Sequence, residues 1–376
     1  MLRERILSWL ARPVRETAVN ECDAERAVIG TSLGNVRGEN QDRAAIVRYT
    51  STEPDASFVL AALCDGLGGM QDGSRCAQLG LTEIILSLIG SRDHNPRSRF
   101  YRAVEAANTA IYSRYHERGG TTFSGILFPG SGPAIGINVG DSRIYERSKG
   151  HLRQLTIDDT IAGQIQHLKG LRSADIDRDY FSQHLAQYLG LGAGLEPRFV
   201  ELAFPGPELL YLITSDGAHG PAGDTFSDLA THAITSVELV RRLLQLSRWT
   251  GGLDNASIIA LEMSHPEASS SVGDSIRSKS EAPLLEIWDS FSKMELFITE
   301  FRNESQTSRD RAAESKSQLA PSEQRATPEN DRRRHKNATK KKRAAKARTD
   351  SRERDLEQPE LEIEVLNDDE RDTQRN

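Results

Sequence analysis

Three cysteines, Cys22, Cys64 and Cys76, are all that the 376 residues contain, and no two stand in a CxxC spacing. An odd, scattered set excludes a disulfide framework and a cysteine-only zinc site, and makes a reducing, cytoplasmic compartment the expectation. Long apolar runs are missing too. The most apolar windows, 58–63 and 209–213, are of strand length, whereas a membrane span needs roughly 18 to 20 apolar residues, so no transmembrane segment is expected. Positive charge is not in excess: 48 Lys and Arg stand against 55 Asp and Glu, a net charge of −7, which argues against a globally basic nucleic-acid binder. Residues 1–19 lack the apolar stretch of a secretory signal and read as an amphipathic helix or a loose arm, the N-terminal unit 1–23.

What is present is unevenly distributed. Residues 24–264 mix apolar strands with periodic helices, the composition of one compact domain. Beyond 265 the chain turns to Ser, Glu, Gln, Arg and Ala, too poor in large apolar residues to offset the entropy of folding, so 265–376 is expected to be a mostly disordered tail. One island interrupts it. Leu284, Leu285, Ile287, Trp288, Phe291, Met294, Leu296, Phe297 and Phe301 recur at near-helical intervals, which predicts a docked helix over 283–302. A basic run (332–348) and an acidic end (350–372) follow.

Within the domain, 57–64 and 208–214 read as buried strands, each leading into an Asp-Gly pair, with further strands at 121–128, 133–139, 142–147 and 256–262. Helical patterns occupy 74–89, 99–117, 227–234 and 237–249. Clustered strands with helices set apart argue for α+β layers rather than alternating βαβ units.

The chemistry gathers at strand mouths. Asp65 ends LAALCD before Gly66, Asp216 ends LLYLITSD before Gly217, and Asp254 precedes Asn255 at the start of ASIIAL. Singly, each is an ordinary turn pair. Together, buried carboxylates would raise one another's pKa and stay protonated unless hard cations neutralise them, and an oxygen-only ligand set favours Mg²⁺ or Mn²⁺.

Eight motifs appear in order: SLGNVRGENQD (32–42), LAALCDGLGGM (60–70), GGTTFSG (119–125), NVGDSRIY (138–145), QLTIDDT (154–160), YLGL (188–191), LLYLITSDG (209–217) and DNASIIAL (254–261). Order, spacing and residue types resemble the type-2C, metal-dependent serine/threonine protein phosphatases in their compact bacterial form, over residues 24–263. The resemblance implies a four-layer α-β-β-α sandwich of two antiparallel sheets with a two-metal centre at one edge. It implies that Asp65 bridges two Mn²⁺ or Mg²⁺ ions and the Gly66 carbonyl binds one. Asp216 and Asp254 would hold the other, with Asp42 acting mainly through water. Asp141 matches the acid that helps hold a weaker third ion in many relatives, and Arg37 the arginine that clamps the substrate phosphate. The implied reaction is hydrolysis of phosphoserine and phosphothreonine in proteins by direct attack of a hydroxide bridging the metals, with phosphorylated proteins and a cognate Ser/Thr kinase as partners.

Departures from the pattern bear on the details. Gln41 replaces a common Glu, and Leu67 stands where some eukaryotic members have a histidine proposed as general acid. Gly220 replaces an acid that some members use for the third metal, which weakens that site, and His219 is a loop histidine close to Asp216. The charged segment 161–180 matches the variable flap that borders the family's active site. Gly66, Gly68 and Gly69 do not make a dinucleotide fingerprint, because Gln71 stands where its last glycine belongs. A competing reading is a catalytically silent module that binds phosphoproteins, with the basic run as a tether to a polyanion or a protein.

Overall fold

A computed structural model of the chain describes residues 2–14, 16–22, 26–91, 93–163, 184–202, 209–263 and 282–298. Two antiparallel sheets stack face to face. The six-stranded sheet runs β1 (Ala18–Cys22), β2 (Ala27–Ser32), β11 (Ala256–Glu262), β10 (Leu210–Thr214), β7 (Arg143–Ser148) and β8 (His151–Gln154). The seven-stranded sheet runs β13 (Lys293–Phe297), β12 (Leu284–Trp288), β3 (Arg43–Thr50), β4 (Phe58–Cys64), β5 (Phe123–Pro129), β6 (Ile135–Val139) and β9 (Arg198–Val200). All pairings between these strands are antiparallel.

Strands apolar on both faces become the centres of the sheets. β4, FVLAALC, is buried at every position: Val59, Ala61 and Leu63 meet the other sheet, while Phe58, Leu60, Ala62 and Cys64 face the helices. Those helices are α1 (Leu2–Leu10), α2 (Gly73–Gly90) and α3 (Pro96–Tyr115), the last started by Asn95, whose Oδ1 accepts from the backbone of Arg97 and Ser98. On the opposite side α4 (Asp216–His219), α5 (Asp224–His232) and α6 (Ser236–Trp249) close the fourth layer over Leu212, Ile258 and Ala260. The α-β-β-α order follows from three separate apolar clusters, one between the sheets and one under each helical layer.

The helix expected over 283–302 is not formed. Its residues up to 298 make the β12–β13 hairpin, and β12 pairs with β3 from Leu284↔Thr50 to Trp288↔Ile46. The spacing of Leu284, Leu285, Ile287 and Trp288 suits a buried strand as well as a helix. Asp289 decides between them, because its Oδ1 accepts from the backbone of Phe291 and Ser292, both at 2.9 Å, and so turns the chain. The folded unit therefore draws strands from outside 24–264, with β1 on one sheet and the hairpin on the other. The basic run 332–348, the acidic end 350–372 and segment 161–180 from 164 onward lie outside the described residues.

Candidate metal centre at the sandwich mouth

β3 and β11 begin, and β4 and β10 end, at one edge of the sandwich, because antiparallel pairing sets the start of one strand beside the end of its neighbour. This brings together all the expected residues. Asp42 directly precedes β3, Asp65 follows β4, Asp141 sits in the β6–β7 turn, Asp216 opens α4 and Asp254 lies just before β11. Asp65 feels the charges of Asp42, Asp216, Asp141 and Asp254 together. Arg37, in the β2–β3 loop, places Nη2 2.6 Å from Asp254 Oδ2, with its guanidinium against Gly68.

Local bonds fix these positions. The Asp65 N–H donates to Thr122 Oγ1 (3.0 Å), and the Asp65 carbonyl accepts from Thr122 N–H (2.8 Å) and Thr121 Oγ1 (2.7 Å), which explains the paired threonines of GGTTFSG. Asp42 Oδ2 accepts from Ser215 Oγ at 2.9 Å. Arg43 is buried and ties this loop to the helical layer, donating to the carbonyls of Leu10, Asn40 and Asp42 and to Ser74 Oγ. Two glycines are required by close approach. A Cβ on Gly66 would lie 2.4 Å from the Gly73 carbonyl, and one on Gly217 would lie 2.0 Å from that of Asn255.

The Asp141 turn is held from a different direction. Asp159 is wholly buried; its Oδ2 accepts from Gly140 N–H (3.1 Å) and its Oδ1 lies 3.0 Å from Arg198 Nε, an ion pair without hydrogen-bond alignment. Arg143 grips Asp158 with Nε and Nη2, and Ser142 Oγ meets Thr122 Oγ1 at 2.8 Å. Ser215, Arg43, Asp158 and Asp159 were not singled out as site residues, although QLTIDDT carried the last two as a motif. Their signal is a buried partner, which no spacing shows.

Electrostatics mark the cluster as short of positive charge. Burial, then the neighbouring carboxylates, push Asp65 well above the usual carboxylate range and raise Asp216. Burial also lifts Asp42 to about 7, against the bonds from Ser257 and Ser215, and lifts Asp141 to about 8, with Asp216 adding to the push. Asp42 is 2% exposed, whereas Asp65, Asp141, Asp216 and Asp254 are half-buried. His219 is no acid for this site. Burial and then Arg143 hold its imidazole well below the ordinary histidine range, and Nδ1 lies 2.9 Å from Thr214 Oγ1.

A hard divalent cation fits these residues. The ligand atoms are all oxygens, the carboxylates need positive charge to ionise together, and Asp42 Oδ1 is buried with no hydrogen-bond partner among the described residues. Against this, among the described residues no three Asp, Glu, His or Cys side chains stand grouped as ligands of one ion. Counter-charge comes from arginines: Arg37 acts on Asp254, Asp216 and Asp65, Arg43 on Asp42 and Arg143 on Asp141.

No protein-family model matches the chain. The serine/threonine protein phosphatase PstP of Mycobacterium tuberculosis (strain H37Rv) is 29% identical over 240 residues, 61% of this chain and 43% of PstP. Among solved structures, the PPM Ser-Thr phosphatase MsPP from Mycobacterium smegmatis, in complex with cacodylate, superposes with a TM-score of 0.54 at 26% identity, covering 63% of this chain and 97% of MsPP. The likeness to the bacterial PPM-type phosphatases holds. The catalytic domain of PstP in complex with two manganese ions covers the same shares of the two chains, with a TM-score of 0.51 and 26% identity. The chain spans less than half the length of the mycobacterial curated relatives it matches. The PPM-type fold is thus present together with the mouth carboxylates that the motifs predicted. Among the described residues no helix is long and apolar enough to cross a membrane.

Proposed function

We propose that the chain is a metal-dependent protein serine/threonine phosphatase, hydrolysing phosphoserine and phosphothreonine by attack of water without a phosphoenzyme. The observation that carries this reading is the gathering of Asp42, Asp141, Asp216 and Asp254 around Asp65 at one end of the sandwich, with Asp65, Asp42, Asp141 and Asp216 held above the ordinary carboxylate range. Asp65, Asp42, Asp216, Asp254 and the Gly66 carbonyl would hold two Mn²⁺ or Mg²⁺ ions, and Asp141 a weaker third. Bound there, such ions acidify a water and neutralise phosphoryl oxygens.

The rest of the chemistry falls to the chain's own groups. Arg37 is exposed, and its planar fork can leave Asp254 for two oxygens of a phosphate, orienting the phosphorus for in-line attack. Ser215 holds Asp42 in place through Oδ2, leaving the buried Oδ1 without a hydrogen-bond partner among the described residues. Thr121 and Thr122 keep the Asp65 backbone fixed while its carboxylate changes partners. No side chain serves as nucleophile, and with Leu67 and His219 unable to donate, the leaving alkoxide takes its proton from solvent.

Phosphorylated proteins and a cognate kinase are the partners this activity requires, and the three buried cysteines, none in a disulfide, support a reducing, cytoplasmic setting. The basic run 332–348 serves in this reading as a tether for a polyanion or a partner protein. The absence of a ready-grouped ligand set among the described residues favours a second reading, a silent module that binds phosphoproteins. Hydrolysis of a small aryl phosphate and a phosphoserine peptide, with and without Mn²⁺, separates the two. The proposal expects turnover of both only with metal; no turnover of either would leave the silent module standing.

A further inference from the structure

The edge of the seven-stranded sheet carries an interaction surface unrelated to the mouth. Among the described residues β13 pairs with β12 on one side and with no strand on the other. Asp289 N–H donates to Ser292 O (3.1 Å) and Ile298 N–H to Pro283 O (2.8 Å), so residues 292, 294, 296 and 298 turn their backbone groups inward to β12. The peptide groups of Lys293, Glu295 and Phe297 therefore point outward, and among the described residues none has a backbone partner there. β8 and β9, two other edge strands, are only four and three residues long, the usual protection of an edge. β13, like the edge strand β1, has five residues, and its exposed face carries Lys293, Glu295 and Phe297. Within one chain Lys293 Nζ meets Glu286 Oε1 at 2.5 Å and Glu295 Oε1, so pairing across an axis exchanges the Glu295 partner for that of the second copy.

The sequence of this edge is complementary to itself. Set antiparallel to a second copy with Met294 opposite Met294 of the partner subunit, the outward groups of Lys293 fall opposite those of the partner's Glu295, and the reverse. The same register sets Phe297 against the partner's Phe291. These two are among the few large apolar side chains left open on the described surface, 67% and 49% exposed. Centring the pair on Glu295 instead would oppose like charges, which is unfavourable. We infer that β13 joins a second copy of this chain edge to edge, as a two-fold dimer in which Lys293 and Glu295 pair reciprocally and the seven-stranded sheet continues across the axis.

The full chain tests this by sedimentation velocity over a range of concentrations, with a concentration-dependent dimer expected. Glu295→Lys, a change at an exposed residue, should weaken the dimer at least tenfold, and so should Lys293→Glu. An equimolar mixture of the Lys293→Glu and Glu295→Lys proteins should recover most of the loss, because within either chain the two positions then carry like charges and only across the axis do unlike charges meet. Cross-linking reads the register independently. Antiparallel partners without mutual hydrogen bonds lie about 4.5 Å apart between Cα atoms, within disulfide reach. Met294→Cys should therefore give a covalent dimer under mild oxidation. Phe297→Cys should not, since at about 3.4 Å per residue the two copies of that position stand about 20 Å apart. A protein monomeric at every concentration, a dimer indifferent to both single charge changes, a mixture of the single variants that associates no more tightly than either alone, or equal cross-linking at 294 and 297 would each overturn the inference.

Discussion

The mouth of the sandwich and its β12–β13 edge are built on opposite principles. At the mouth each position demands one residue type: a glycine where a Cβ would collide, a threonine where an Asp65 backbone group needs a partner, an aspartate where charge gathers. At the edge Leu285, Ile287 and Trp288 need only be apolar and of the right size, and the turn rests on Asp289. Specific demands leave a pattern in the sequence, whereas packing demands leave a composition that two structures can share.

Breaking the edge should have the largest consequence. Removing residues 265–376 would strip β12 and β13 from β3. Burial of Leu285, Ile287 and Trp288 is worth about 1.5 to 3 kcal/mol apiece, against a total domain stability of about 5 to 15 kcal/mol. A protein of residues 1–264 should therefore be largely unfolded or aggregated, by circular dichroism and gel filtration, whereas one ending after 298 should keep its fold and its aryl phosphatase rate. A folded, active 1–264 protein would show the hairpin to be dispensable.

At the mouth, Asp65→Asn and Asp216→Asn should lower the phosphatase rate by about 10³-fold or more, the scale of losing a group that stabilises charge in the transition state. Their melting temperatures should hold or rise, because a crowded carboxylate has been neutralised. Arg37→Ala should cost roughly 2 to 4 kcal/mol in kcat/KM on a phosphopeptide while leaving metal affinity nearly unchanged. An unchanged kcat/KM would remove Arg37 from the site.

A smaller effect comes from pH. Asp42 and Asp141 titrate in the fold near 7 and 8, above the ordinary carboxylate value of 3.8, so the fold favours their protonated forms. The stability this gives is complete below about pH 4 and is lost as pH rises through 7 and 8. Chelator-treated protein should thus melt at a lower temperature at pH 8.5 than at pH 5, and Asp42→Asn should flatten the difference. A melting temperature that climbs over this range would contradict the assigned environment.

The difference between the two regions also sets what the sequence could disclose. Asp65, Asp216 and Asp254 were legible because buried apolar strands end or begin beside them, and the layered fold because β4 and β10 are mostly apolar runs buried at every position. The hairpin was misread because apolar spacing alone does not separate a short strand pair from a helix, and the Asp289 turn weighs little beside nine apolar residues. Arg43, Ser215 and Asp159 act through partners distant in sequence, Asp42 lying 173 residues from Ser215. Such pairings exist only once the sheets have stacked.

The central claim, that the mouth carboxylates form a metal centre, is tested most directly by calorimetric titration of Mn²⁺ into the chelator-treated full-length protein and its Asp65→Asn variant. The account predicts two ions bound by the wild type and a loss of at least one site, or a large weakening of both, in the variant. Two ions bound equally tightly by both proteins would contradict it.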